Sequence, residues 1–186
     1  MKVVEILKHS AELLGLDKTK TLLDTVNEEN KAEISVDDDV AKLLSLAKFA
    51  VQELCTNYCP LLDKYEFSTT DKKFALNRLK NYIRIVDVKK DGVSCAYKIY
   101  NRDITLEEDG KYIVEYMSFK TIETLLDEID FLSQFSPDVL VFAICAYYSV
   151  AHGMFDQFEE FHDLYIDKAE SLKELRSGQM PMRKWE

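Results

Sequence analysis

Apolar positions along the chain change their spacing twice, from helical to alternating and back to helical. Val3, Val4, Ile6, Leu7, Leu13 and Leu14 fall on one side of a first helix that stops near Gly15. Asp17 is placed to cap a short second helix through Leu22, Leu23 and Val26, and the polar run from Asn27 to Ser35 reads as a loop. A long third helix follows Asp37, Asp38 and Asp39. Its buried stripe is Val40, Leu43, Leu44, Ala47, Ala50, Val51, Leu54 and Tyr58, and Pro60 ends it.

Between Pro60 and Phe119 the period becomes two. Tyr82 to Val88 leads through Asp91-Gly92, a strong hairpin signal, into Val93, Cys95, Tyr97 and Ile99, which alternate with Ser94, Ala96 and Lys98. Asn101 turns the chain before Ile104 and Leu106, and Asp109-Gly110 turns it again before Lys111 to Met117. These segments predict a small antiparallel meander. Ile122, Leu125, Leu126 and Ile129 then resume helix spacing over Thr121 to Phe135.

The stretch from Pro137 to Arg176 organises the rest. From Val139 to Ala151 every position but Ser149 is apolar or aromatic, so this helix needs neighbours on all sides and belongs at the centre of the core. Pro137, flanked by Ser136 and Asp138, suits a first helical turn. Thirteen residues are too few to cross a bilayer. Beyond a turn at Gly153, Met154, Phe158, Phe161, Tyr165, Ala169 and Leu172 make one apolar face, while Asp156, Glu159, Glu160, Asp163 and Asp167 occupy the other. Lys168, Lys173 and Arg176 collect near the negative end of the helix dipole. Ile144 is the position whose burial most directly tests the central helix.

The order helices, strands, helices predicts an α+β fold: a mostly helical domain whose N- and C-terminal helices pack together, with a small antiparallel β-meander inserted between them. Residues 1–60 form the first helical part, 61–119 the meander, 120–176 the helical core and 177–186 a C-terminal tail. At 186 residues, one domain is expected to bury enough surface to fold without metal or disulfide. A net charge of -10 argues against a general nucleic-acid surface. Lys2, Glu5 and Lys8 interrupt the first fifteen residues, which lack the apolar run of a signal peptide, and an intracellular protein is expected. Cys55, Cys59, Cys95 and Cys145 read as structural thiols, since no paired CxxC accompanies them.

Candidate chemistry is sparse. There is no glycine-rich phosphate loop, GxSxG or HExxH. Asp37, Asp38 and Asp39 read as a cap and dipole partners of a helix rather than as calcium ligands, because the glycine and distal glutamate of a calcium loop are missing. Glu159 and His162 form one ExxH, whereas a helical di-iron centre needs two and further glutamates. His162 is expected to be solvated beside the acidic face. Ser149 and His152 lie one turn apart without an orienting acid or oxyanion site. The reading is therefore no catalytic residue, no metal and no cofactor. Met182, Arg183, Lys184 and Trp185 are the interaction candidates, because tryptophan and arginine often anchor interfaces and this tail is too short to build a core.

The segments DGVSCAYKIYNRDITLEEDGKYIVEYMSF and FLSQFSPDVLVFAICAYYSVAHGMFDQFEEFHDLYIDKAESLKEL, with the closing RKW, resemble bacteriophage head-to-tail connector proteins, the neck adaptors like tail tubular protein A. What carries the resemblance is a hairpin, a proline-started aromatic-rich helix, and a glycine before an aromatic-acidic helix. It implies a structural protein of the virion neck, present in host cytoplasm before assembly. Copies would form a ring, dodecameric, beneath the portal protein, extend the DNA channel and offer a platform to downstream tail proteins. The subunit alone would be monomeric, and DNA would pass without specific binding. The alternatives are an intracellular interaction module of non-phage origin and, further off, a helical-bundle metalloenzyme.

Overall fold

The structure, a computed structural model, describes residues 1–129 and 136–177, with the side chains of 173–177 excepted. The chain folds as an α+β protein in two compact units, Met1–Cys59 with Thr121–Glu186, and Pro60–Lys120.

The first unit is helical: α1 (Val3–Leu13), α2 (Asp17–Asp24), α3 (Lys31–Ile34), α4 (Asp38–Asn57), α5 (Asp138–Ala151) and α6 (Phe155–Ser177). Here α5 packs against α1, α4 and α6, and so bridges the N- and C-terminal helices. Ile144, Ala143, Cys145 and Ala146 have no exposed surface, which puts the α5 midpoint in the centre of this core. The stripe of α4 is buried from Val40 to Leu54, while Tyr58 is half-buried. The Asp37 carboxylate caps α4 by accepting the backbone N–H groups of Asp39 and Val40 at 3.2 Å each. At the other end of α5, the Met154 N–H donates to the Ser149 carbonyl at 2.9 Å and the Gly153 N–H to that of Val150 at 3.2 Å. This crossed pair closes the helix with Gly153 at φ +72, a conformation glycine adopts without strain. Among the described residues no helix is long and apolar enough to cross a membrane.

Several expectations need correction. Residues 121–129 form no helix. The Asp127 carboxylate takes the N–H groups of Glu123 and Thr124 and the Thr124 hydroxyl, a local alternative to helical bonding. The segment instead pairs with the chain start, where Val3 and Val4 donate to the carbonyls of Asp127 and Leu125 and Ile129 donates to that of Met1. Ile122, Leu125 and Ile129 are buried all the same. The rest of that expected helix, residues 130–135, lies outside the described residues. The short α3 occupies part of the expected loop because Ile34 finds a buried place. Asp17 begins α2 instead of capping it, and Leu13 is half exposed on α1. Finally, α5 is not enclosed on every side. Phe142 and Tyr147 are half-buried, and Val150 is 41% exposed near the helix end.

The second unit contains β1 (Leu61–Thr69), β2 (Lys73–Ala75), a single 3-10 turn (Leu76–Arg78), β3 (Tyr82–Lys90), β4 (Val93–Ser94), β5 (Tyr97–Tyr100), β6 (Asp103–Leu106) and β7 (Gly110–Ser118). A plain meander would pair neighbours in sequence. Here two antiparallel sheets form instead, in the orders β1-β7-β3-β4 and β2-β6-β5. The last strand is inserted between the first and third, so β1 pairs with β7 along its full length, from Leu61 opposite Ser118 to Thr69 opposite Gly110. The expected hairpins stand at Asp91-Gly92 and Asn101-Arg102, where both central residues take the positive φ that suits two-residue turns.

Alternation decides which face is apolar. Phe67, Val88, Tyr112, Val114 and Tyr116 of the larger sheet and Phe74, Ile104 and Leu106 of the smaller one share a single buried cluster. The rings of Phe67 and Phe74 are 4.1 Å apart at its centre. The opposite face of the larger sheet carries Leu62, Lys64, Glu66 and Ser68 on β1 against Met117, Glu115, Ile113 and Lys111 on β7.

Candidate functional site

In the helical unit the polar chemistry converges on one carboxylate. Glu53 comes from α4, Tyr147 from α5 and Tyr165 from α6. Both phenols donate to the same Glu53 oxygen, Oε2, with Tyr165 at 3.1 Å. Phe49 sets its ring edge-on to Tyr147 at 5.1 Å, and Tyr58 does so to Tyr165 at 6.2 Å. Burial, reinforced by the negative charge of Glu53, pushes the Tyr165 phenol far above its ordinary range, so it remains a donor. One oxygen thus ties three helices together. The arrangement is a clamp, with both phenols already committed to the carboxylate.

The β unit answers the same problem with ammonium groups. Glu115, on the central strand β7, is 8% exposed. Lys64 on β1 meets its Oε1 at 2.9 Å and Lys89 on β3 meets its Oε2 at 2.8 Å. Lys89 also lies 3.8 Å from Asp87, which accepts the Ser94 hydroxyl of β4 at 2.6 Å and the Val88 N–H at 2.8 Å. The ladder therefore crosses all four strands. Lys89 first, and Lys64 second, hold the Glu115 carboxyl below its usual range, and Glu115 in turn raises Lys89. A shallow hollow of about 510 Å³ opens beside it, lined by Glu66, Lys89, Asp91 and Lys111 among others. Charges of both signs on its wall give it no single-sign field with which to select an ionic ligand.

The sequence candidates are distributed as follows. Met182, Arg183, Lys184 and Trp185 lie outside the described residues. Glu159 is exposed on α6. His162 is half-buried rather than solvated, because the rings of Phe158 at 5.1 Å and Tyr165 at 6.5 Å flank it. Ser149 and His152 meet only through the backbone, where the His152 N–H donates to the Ser149 carbonyl at 3.2 Å. The His152 Nδ1 bonds to the Tyr148 carbonyl at 2.8 Å and its ring stacks on Tyr148, while the fully buried Ser149 hydroxyl has no hydrogen-bond partner among the described residues. Asp37 is occupied as a helix cap, and Asp39 bridges Lys42 at 3.2 Å. Among the described residues no three His, Cys, Asp or Glu side chains come together as metal ligands. Burial raises the Cys145 thiol to about 12, which makes it inert as a nucleophile.

Sequence reading missed both carboxylate centres. Glu53 follows Phe49 by one turn on α4, a signal that its face is not purely solvent. Lys64, Lys89 and Glu115 are far apart in sequence and meet only through strand order. Comparison with known proteins gives no matching family model and no similar curated protein.

Proposed function

We propose that this chain is a structural head-to-tail connector subunit of a phage or prophage. In this reading it forms a ring below the portal protein, extends the DNA channel and receives the downstream tail proteins. One observation supports it above the others. The segment that carries the resemblance to neck adaptors folds as one helix pair, with a buried, aromatic-rich α5, a left-handed Gly153 and an outward-facing acidic α6. Asp156, Glu159, Glu160, Asp163 and Asp167 are all exposed on α6. An acidic wall of this kind would let DNA pass without holding its phosphates.

The reading assigns docking to Met182, Arg183, Lys184 and Trp185. Each tail contributes modest affinity, and a ring multiplies it through many simultaneous attachments. Deletion from Gln179 onward tests this assignment. The shortened chain should keep its melting temperature and lose binding to portal oligomers encoded by the same genome. Unchanged portal binding would remove the tail from the docking role, and an unfolded product would place Trp185 in the core.

A further inference from the structure

The longest open strand edge among the described residues belongs to β1. Its nine residues pair with β7 on one side, and none of its backbone groups has a described partner on the other. By comparison, the outer strands β2, β4 and β5 have three, two and four residues. An edge of this length is a template for another strand unless something deters it. The usual deterrent is charge, and β1 carries Lys64 and Glu66 on its outer face.

Those charges do not deter every register. A two-fold axis normal to the sheet keeps each face on its own side, so only residues of the same face can stand opposite one another. Centring the axis on Lys64 sets lysine against lysine, and centring it on Glu66 sets glutamate against glutamate. Centring it on Tyr65 uses the whole strand. Leu61 then stands opposite Thr69, Leu62 opposite Ser68, Asp63 opposite Phe67, and Lys64 opposite Glu66, each pair occurring twice, with Tyr65 opposite its own copy. Opposed unlike charges favour such a pairing and like charges oppose it.

The ladder on this face makes the same choice. Its sign alternates from strand to strand, with Lys89 on β3, Glu115 on β7 and Lys64 on β1. The sequence of signs stops at the open edge on a lysine whose side chain is 63% exposed. The Tyr65-centred register supplies the next negative charge, Glu66 of the second copy. Glu66 itself is exposed and forms no described ion pair within its own chain.

We propose that two copies of this chain associate by antiparallel β1–β1 pairing about Tyr65, joining their four-stranded sheets into one continuous sheet through about eight backbone hydrogen bonds. The inference stands on the sheet geometry alone, and it replaces the expectation that the subunit by itself is monomeric. Such a pair is isologous, whereas a cyclic ring repeats a heterologous contact, so the pair is a state of the chain outside any ring.

Sedimentation equilibrium of the full chain tests it. The wild-type chain should be a dimer at tens of micromolar. Glu66→Lys and Lys64→Glu each place like charges opposite one another twice, and each should weaken the dimer by about tenfold or more. Mixing the two variants should restore association, because a chain with lysine at both positions then faces a chain with glutamate at both. Lys64→Glu also stands beside Glu115, so its fold is checked by circular dichroism. Should it fail to fold, hydrogen exchange decides: β1 amides should show concentration-dependent protection in the wild type that Glu66→Lys abolishes. A wild-type monomer at millimolar concentration, or a dimer indifferent to Glu66→Lys, overturns the proposal.

Discussion

The two units hold a shielded carboxylate in opposite ways. Glu53 in the helical unit is met by two neutral phenols, and Glu115 in the β unit by two ammonium groups. The contrast follows the charge of each unit. The helical unit contains 12 Lys and Arg against 24 Asp and Glu, and the β unit 12 against 10. The whole acidic surplus of the chain thus resides in the helices. Where cations are scarce, aromatic side chains already recruited to the core supply the hydrogen-bond donors. Where strands bring lysines from both neighbours to a central glutamate, ion pairing does so.

Each unit also has a core of its own, and the largest effects should come from opening it. Phe74→Ala should cost about 3–5 kcal/mol, because Phe74 is 2% exposed at the centre of the aromatic cluster. Ile144→Ala should cost about 2–5 kcal/mol at the midpoint of α5, where the residue has no exposed surface. Chemical denaturation measures both, and a loss below about 1 kcal/mol at either site would show that the packing described for that unit is wrong.

The carboxylate contrast predicts opposite pH windows. Tyr165 has a raised folded value, so its contribution is complete below the ordinary phenol range and is lost as pH climbs above about 10. Tyr165→Phe should cost about 1–2 kcal/mol at neutral pH and flatten that alkaline decline. Glu115 has a lowered folded value. Its contribution is complete above the ordinary glutamate range and is lost as pH falls through the lowered one. Glu115→Gln should therefore remove part of the acid sensitivity of the β unit, together with the alkaline contribution of Lys89, whose raised value depends on Glu115. Identical pH profiles for the two variants would dissolve the comparison. The smallest effect is a gain: Ser149→Ala removes a buried hydroxyl that has no partner among the described residues and should leave stability unchanged or raise it by about 1 kcal/mol.

The helical unit was far more legible in the sequence than the β unit, for a physical reason. Helix spacing is local, so the stripe of α4, the apolar run of α5 and the Gly153 turn could be read without knowing their neighbours. That locality also misled. Ile122, Leu125 and Ile129 have helix spacing, yet Asp127 captures the amides a helix would use. Strand order is not local. Asp91-Gly92 announced its hairpin, but nothing in residues 61–69 announced that β1 would pair with β7, and the Lys64–Glu115–Lys89 ladder exists only because it does. Glu53 was hidden for a related reason, since its partners come from two other helices.

The connector assignment is tested most directly by the mass of the complex formed when the full chain is mixed with portal oligomers from the same genome. Mass photometry should show a single product heavier than the portal by a complete ring of 21.6 kDa subunits, with few partial rings, as multivalent attachment requires. A portal whose mass does not change, or one that gains only scattered single copies, would contradict the account.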